Sequence, residues 1–203
     1  MRIAIVDYGM GNIKSITSTL NFLGVDEVLV SNNFDVLKHS DKIILPGVGS
    51  FAKAMSKIYE HKIDEMLHEL VKINKKPLLG ICLGMQLLCN SSTEDGFSKG
   101  LAFINADVTK FEENNLKIPH VGFNQVYKNR DSILFQDLNN DSDFYFTHSF
   151  KVSSSENIKQ SMCNYGQNFI AAFEEGNIYA TQFHPELSQN NVIQLLKNFL
   201  IAS

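Results

Sequence analysis

The first half of the chain alternates between short runs that are apolar throughout and longer stretches whose apolar residues recur every three or four positions. Residues 2–7 form an apolar run that ends at a Gly-x-Gly loop, Gly9 and Gly11, and read as a buried strand. Ile13, Ile16, Leu20 and Leu23 then mark a helix stopped by Gly24. Residues 27–30 predict a second strand and residues 42–45 a third, which is broken by Pro46-Gly47-Val48-Gly49. A long helical region follows, with Met55, Ile58, Ile63, Met66, Leu67, Leu70 and Val71 on one face. Residues 77–82 predict a fourth strand that runs straight into a helix through Leu87 and Leu88.

Apolar strands alternating with helices imply a parallel sheet covered on both faces. The second half has a different texture. Residues 103–111, 117–127, 143–150, 170–174 and 178–183 are strand-like with Asn, Asp and Gly turns between them, and a last helix carries Leu195, Leu196, Phe199 and Leu200. The expected fold is α/β: one domain over residues 1–203, doubly wound, with a mostly parallel central sheet, flanking helices and antiparallel additions. Ligands of such sheets bind beyond the carboxyl ends of the strands. Three early strands end in paired glycines, Gly9/Gly11, Gly47/Gly49 and Gly80/Gly84, so these loops are expected to ring one site.

Composition narrows the classes. At 203 residues, 44% hydrophobic and 20% charged, the chain is neither disordered nor fibrous. The longest apolar stretch, residues 78–89, contains Gln86 and two glycines and is too short to span a bilayer. Eighteen basic against twenty-two acidic residues, without a Lys/Arg cluster, argues against nucleic acid. No signal-peptide pattern opens the chain, and three cysteines at spacings of 7 and 74 form neither a disulfide framework nor a paired metal site. The reducing cytoplasm is the expected compartment; no cofactor and no metal are expected.

The sharpest chemical signal is Gly80-Ile81-Cys82-Leu83-Gly84, a nucleophile-elbow pattern with cysteine in the serine position. A tight strand-to-helix turn needs small residues on either side and lifts the central side chain above the sheet. The helix that starts there favours a thiolate through its dipole, and its first N–H groups, beginning with Leu83, are placed to hold an oxyanion. Cys89, expected on the same helix, and Cys163, in a strand, read as packing residues. A nucleophilic thiol needs a base and a group that orients it. His39, His61 and His68 sit on or beside amphipathic helices and read as solvated. His184 instead follows an apolar strand, precedes Pro185 and lies two residues from Glu186, the spacing at which side chains of an extended segment point the same way. The residues thus predict a Cys82, His184, Glu186 triad for acyl transfer through a thioester.

These motifs, Gly80 to Gln86 together with Thr181-Gln182-Phe183-His184-Pro185-Glu186, resemble the triad-type (class I) glutamine amidotransferases. Within that family, Asp7-Tyr8-Gly9-Met10-Gly11-Asn12, Leu45 to Gly49, Lys117 to Asn124 and Tyr145-Phe146-Thr147-His148-Ser149 look like the glutaminase subunits of imidazole glycerol phosphate synthases. The resemblance implies that Cys82 attacks the side-chain amide of L-glutamine, that His184 moves the proton and that Glu186 orients it. It further implies an oxyanion hole from Leu83 and the Val48-Gly49 segment, the latter after a rearrangement. Gln86, Ser149 and Phe150 would hold the substrate, and Glu94 would pair with its α-ammonium.

The same resemblance implies a heterodimer with a (β/α)8-barrel cyclase that receives the ammonia for histidine biosynthesis, and low activity of the subunit on its own. Three positions depart from the family pattern: Leu187 replaces a lysine, Phe123 a tryptophan and Phe150 a tyrosine. They keep open a paralogous glutaminase that feeds a sugar amidotransferase through a cyclase-like barrel. A stand-alone cysteine hydrolase and a non-catalytic binding module built on residues 7–12 are more remote alternatives.

Overall fold

The computed structural model describes residues 1–112, 116–139, 142–187 and 189–202. The first part reads β1 (Arg2–Val6), α1 (Ile13–Phe22), β2 (Glu27–Ser31), α2 (Phe34–Lys38), β3 (Lys42–Leu45), α3 (Phe51–Glu60), α4 (Ile63–Leu67), a π-helical turn (His68–Ile73), β4 (Leu78–Ile81) and α5 (Leu83–Leu87). It continues with β5 (Ser91–Ser92), β6 (Ser98–Lys99), β7 (Asp107–Lys110), β8 (His120–Tyr127), β9 (Asp143–His148), β10 (Phe150–Ser153), β11 (Ser161–Asn164), β12 (Asn168–Glu175) and β13 (Ile178–Thr181). A 3-10 turn (Pro185–Leu187) and α6 (Gln189–Ile201) close the chain.

The main sheet has the order β2-β1-β3-β4-β13-β12-β10-β7-β5-β6. β2, β1, β3, β4 and β13 run parallel to one another, whereas β12 is joined antiparallel to β13 and to β10, and β10 antiparallel to β7. β11 leaves the edge of β12 and leads through β8 to β9, an antiparallel ribbon. Mixed topology on a doubly wound core is therefore what the alternating first half and the strand-rich second half jointly predict. Among the described residues no helix is long and apolar enough to cross a membrane.

The period-2 alternation of side chains divides the core. Ile3, Ile5, Ile44, Leu79 and Ile81 point to the face covered by Ile16 and Leu20 of α1 and by Leu195, Leu196 and Phe199 of α6. Ala4, Val6, Ile43, Leu45 and Leu78 point to the face covered by Phe51, Met55 and Ile58 of α3 and by α4 and α5. Both faces of the parallel strands are thus dry, which explains why their sequences read as unbroken apolar runs.

Several boundaries differ from the sequence expectation. The long helical region breaks at Lys62, which adopts φ 54°, and resumes as α4 and the π-helical turn; its apolar stripe continues across the break because all segments cover the same sheet face. The strand expected over 103–111 is confined to Asp107–Lys110. The strand expected over 143–150 is interrupted at Ser149, where the chain turns from the ribbon (β9) into the main sheet (β10). No sequence pattern predicts the five-residue α2, since one turn carries no readable period; the side chain of Asn33 accepts from the N–H groups of Asp35 and Val36 to start it. β5, β6 and β11 are likewise too short or too polar to show a pattern.

Candidate active site

The elbow is built from backbone crowding. Cys82 stands between β4 and α5 at φ 55°, ψ −110°, a conformation that costs about 1–3 kcal/mol for a non-glycine residue. A Cβ on Gly84 would come within 1.9 Å of the Leu45 carbonyl oxygen, and one on Gly80 within 2.9 Å of the Gly84 oxygen. One on Gly47 would meet the Tyr8 hydroxyl at 2.7 Å and the Gly84 nitrogen at 2.8 Å. The three glycines let α5 sit directly against the ends of β3 and β4, and this holds the strained residue in place. Tyr8 closes the packing by donating to the Pro46 carbonyl at 2.7 Å.

Cys82 and His184 are both nearly buried, at 6% and 3% exposure, and follow neighbouring parallel strands, with Thr181 of β13 beside Ile81 of β4. His184 Nδ1 lies 2.9 Å from Glu186 Oε1. The link is not the extended segment expected from the sequence. Pro185–Leu187 form a 3-10 turn, closed by the Leu187 N–H donating to the His184 carbonyl at 3.1 Å, and it is this turn that curls the carboxylate back onto the ring. Burial works against the charged imidazole, but hydrogen bonding and charge from Cys82 and Glu186 outweigh it and raise the His184 pKa to about 10. The site therefore favours a protonated ring held between these two side chains.

Two residues outside the expected triad complete it. Asn12 precedes α1 but makes no capping bond with its side chain; instead its Nδ2 donates to Glu186 Oε1 at 3.1 Å. Gln182, fully buried, lies with its Nε2 3.7 Å from the Cys82 sulfur. Asn12 lies in the first glycine loop, which supplies no lining residue of the cavity beside Cys82, unlike the expectation that all three loops ring it; the loop reaches the site from behind, through this amide, the Tyr8 hydroxyl and Met10, which packs on Gly49. A signal for Gln182 existed: it stands two residues before His184 at the end of an apolar strand, yet an amide beside an imidazole carries no pattern by itself.

The cavity beside Cys82 has a volume of about 370 Å³. It brings together Val48, Gly49, Leu83, Gln86, Glu94, Ser149 and Phe150 with Cys82 and His184, and adds Pro119, Thr147 and His148. Glu186 stays outside, behind the imidazole. The Gln86 Nε2 donates to the Phe150 carbonyl at 3.1 Å and to Gln182 Oε1 at 2.9 Å, so what its side chain offers a ligand is the acceptor Oε1. Glu94 Oε2 accepts from the Phe51 N–H at 2.7 Å, at the start of α3, and its pKa is raised by burial against that bond. Gly49, at φ +95°, keeps the neighbouring segment free to take conformations closed to other residues.

α5 is only five residues long, so its dipole is a weaker lever than the sequence pattern implies and the imidazole is the main partner of the sulfur. Cys89 lies beyond the end of α5 rather than on it. It is fully buried, and burial pushes its thiol pKa well up. Cys163, in β11, is pushed up to about 12 by burial. Neither is suited to nucleophilic work.

A buried thiol, an imidazole charged beside it, a carboxylate holding the ring and a polar cavity of amino-acid size define an acyl-transfer site of the cysteine type. Residues 4–203 match the glutamine amidotransferase class-I family, and the chain belongs to that family. It is 46% identical over 198 residues, 97% of this chain and 98% of the relative, to the imidazole glycerol phosphate synthase subunit HisH 1 of Campylobacter jejuni subsp. jejuni serotype O:23/36 (strain 81-176). It is 38% identical over 200 residues, 98% of this chain and 96% of the relative, to the imidazole glycerol phosphate synthase subunit HisH of Aquifex aeolicus. Among solved structures, a glutamine amidotransferase of Thermotoga maritima superposes with a TM-score of 0.64 at 16% identity, covering 98% of this chain and 82% of that one, a likeness of fold.

Proposed function

We propose that this chain is the glutaminase subunit of an imidazole glycerol phosphate synthase, acting in the cytoplasm as one domain over residues 1–203 beside a (β/α)8-barrel cyclase. The observation that carries the reading is the strained Cys82 facing a charged His184 in a cavity shaped by Gln86, Ser149 and Phe150. The names of the relatives that align over nearly their full length supply the complex.

The Cys82 thiolate attacks the side-chain carbonyl carbon of L-glutamine. The oxygen that becomes negative is held by the Leu83 N–H and by a donor from Val48 and Gly49. His184 passes its proton to the departing nitrogen, the C–N bond breaks, ammonia leaves and a glutamyl thioester remains. Water then attacks the thioester carbonyl, His184 takes the water's proton, the C–S bond breaks and glutamate is released. Glu186, itself held by Asn12, keeps the ring in the tautomer that serves both steps. Glu94, at the cavity edge, balances the substrate's α-ammonium. Ammonia freed in neutral water would be protonated and unreactive, so the barrel covers the site and takes it directly.

Mixed with the barrel cyclase and its ligand, the chain is expected to release glutamate from L-glutamine and to lose this in Cys82→Ser. Absence of turnover with any barrel rejects the reading. One observation favours a second pathway. Leu187 is 43% exposed, apolar where the family pattern carries lysine, and Phe123 is 53% exposed, a smaller ring where it carries tryptophan, which suits a different barrel and the paralogous supply of a sugar amidotransferase. Rescue of a histidine auxotroph lacking this subunit supports the first pathway; turnover without rescue supports the second.

A further inference from the structure

His120 and His148 are buried at 2% and 6% exposure among the rings of Phe111, Phe146, Phe169 and Tyr165. They face each other on one rung of the β8–β9 ribbon. Burying two imidazoles among phenylalanine rings costs free energy unless their nitrogens are satisfied. The bonds they make run in one direction only. His148 Nδ1 lies 2.8 Å from the Phe150 carbonyl; a carbonyl only accepts, so Nδ1 carries a proton. Burial lowers the pKa of His148 to about 3 and of His120 to about 4, so both rings are neutral. His148 Nε2 is then an acceptor, and it receives the His120 Nδ1–H at 3.1 Å. His120 Nε2, an acceptor in turn, faces the Asn124 amide at 3.5 Å, and that amide also donates to the Asn164 carbonyl at 3.0 Å.

At its inner end the same chain of bonds reaches the thiol. The Phe150 carbonyl takes both the His148 Nδ1–H and the Gln86 Nε2–H. Gln86 donates to Gln182, whose amide lies against the Cys82 sulfur. Because the carbonyl can only accept, it sets which way the Gln86 amide points, and Gln86 in turn sets Gln182. At the outer end, Val121 and Phe123 on either side of Gly122 are more than half exposed.

We propose that His120 and His148 are positioning residues: the rung they form holds the Phe150 carbonyl, and through it Gln86 and Gln182, so that the glutamine pocket is set by the register of the β8–β9 ribbon. This rests on the glutaminase reading of the site. The nearer alternative is that the rings serve only as packing.

Two substitutions separate the roles. His120→Phe keeps a ring stacked between Phe146 and Tyr165 (4.9 and 4.0 Å between centroids) but removes the donor. His120→Asn loses the stack but places an amide N–H near the Nδ1 position. With kinetics measured on the chain together with its barrel partner, His120→Phe is expected to raise KM for L-glutamine about tenfold, the effect of one buried hydrogen bond, with a smaller change in kcat. His120→Asn, although the less stable protein, is expected to recover most of that loss. Wild-type KM in His120→Phe, or a higher KM in His120→Asn than in His120→Phe, overturns the proposal. Nitrogen-15 NMR of the imidazoles in the wild-type chain gives a second, independent reading: His148 should be protonated on Nδ1 alone. A proton on Nε2 overturns the relay even if neither variant folds. Failure of the wild-type complex to hydrolyse glutamine would reject the glutaminase reading instead, and the tautomer would still decide the relay.

Discussion

Side chains at this site do work that their local position does not suggest. Asn12 sits where a helix cap is expected, yet its amide goes to Glu186; Gln182 sits at a strand end, yet its amide meets the Cys82 sulfur. Removing the Asn12 amide leaves a buried carboxylate with one donor fewer and loosens the ring it orients. Asn12→Ala is therefore expected to lower kcat about tenfold, the cost of one hydrogen bond to a charged group, with KM little changed; steady-state glutamine hydrolysis checks this. The triad itself was legible in the sequence because its members stand in two short motifs. The roles of Asn12, Gln182, His120 and His148 were not, since amide and imidazole groups acquire a role only from what lies across from them, and the contacts Asn12–Glu186, Gln182–Cys82 and His120–His148 span 28 to 174 positions.

Among the elements, the decisive one is the turn from β4 to α5. Its strain is balanced by close backbone packing that tolerates no side chain. Gly84→Ala, whose methyl would sit 1.9 Å from the Leu45 carbonyl oxygen, must push β3 and α5 apart and is expected to cost about 3 kcal/mol or more. Gly176→Ala, where φ is +60° but the space is open, is expected to cost only about 1 kcal/mol. Urea unfolding midpoints of the two variants compare them directly. The elbow was recognisable because glycine spacing records close approach. The 3-10 turn that joins His184 to Glu186, and the interruption at Ser149 that steers Phe150 into the cavity, were not: residue pairs at i and i+2 meet in more than one backbone shape, and only the surrounding sheet selects among them.

For the molecule as a whole, the buried histidines give stability a maximum in pH. His120 and His148 have folded pKa values below the ordinary value of 6.5, so the unfolded chain binds protons that the folded one refuses. Their contribution is complete above pH 6.5 and is lost as pH falls toward 4. His184 is raised above 6.5, to about 10, so its contribution is complete below 6.5 and is lost as pH rises through 10. Urea midpoints measured from pH 4 to pH 10 at constant ionic strength are expected to peak near neutrality. The acid limb should flatten in His120→Phe and the alkaline limb in His184→Ala.

The sequence by itself determined the parallel core, the position of the sharp bend and which thiol, imidazole and carboxylate we propose as nucleophile, base and orienting group. Each of these is encoded within a few residues, as an apolar run, a glycine spacing or a compact motif. Tertiary structure decided which strand ends meet, which amides and imidazoles close the pocket, and that an antiparallel ribbon reaches the thiol through a line of hydrogen bonds. Such contacts are made between segments far apart in the chain, and the free energy that selects them comes from burying polar groups only where each finds its partner.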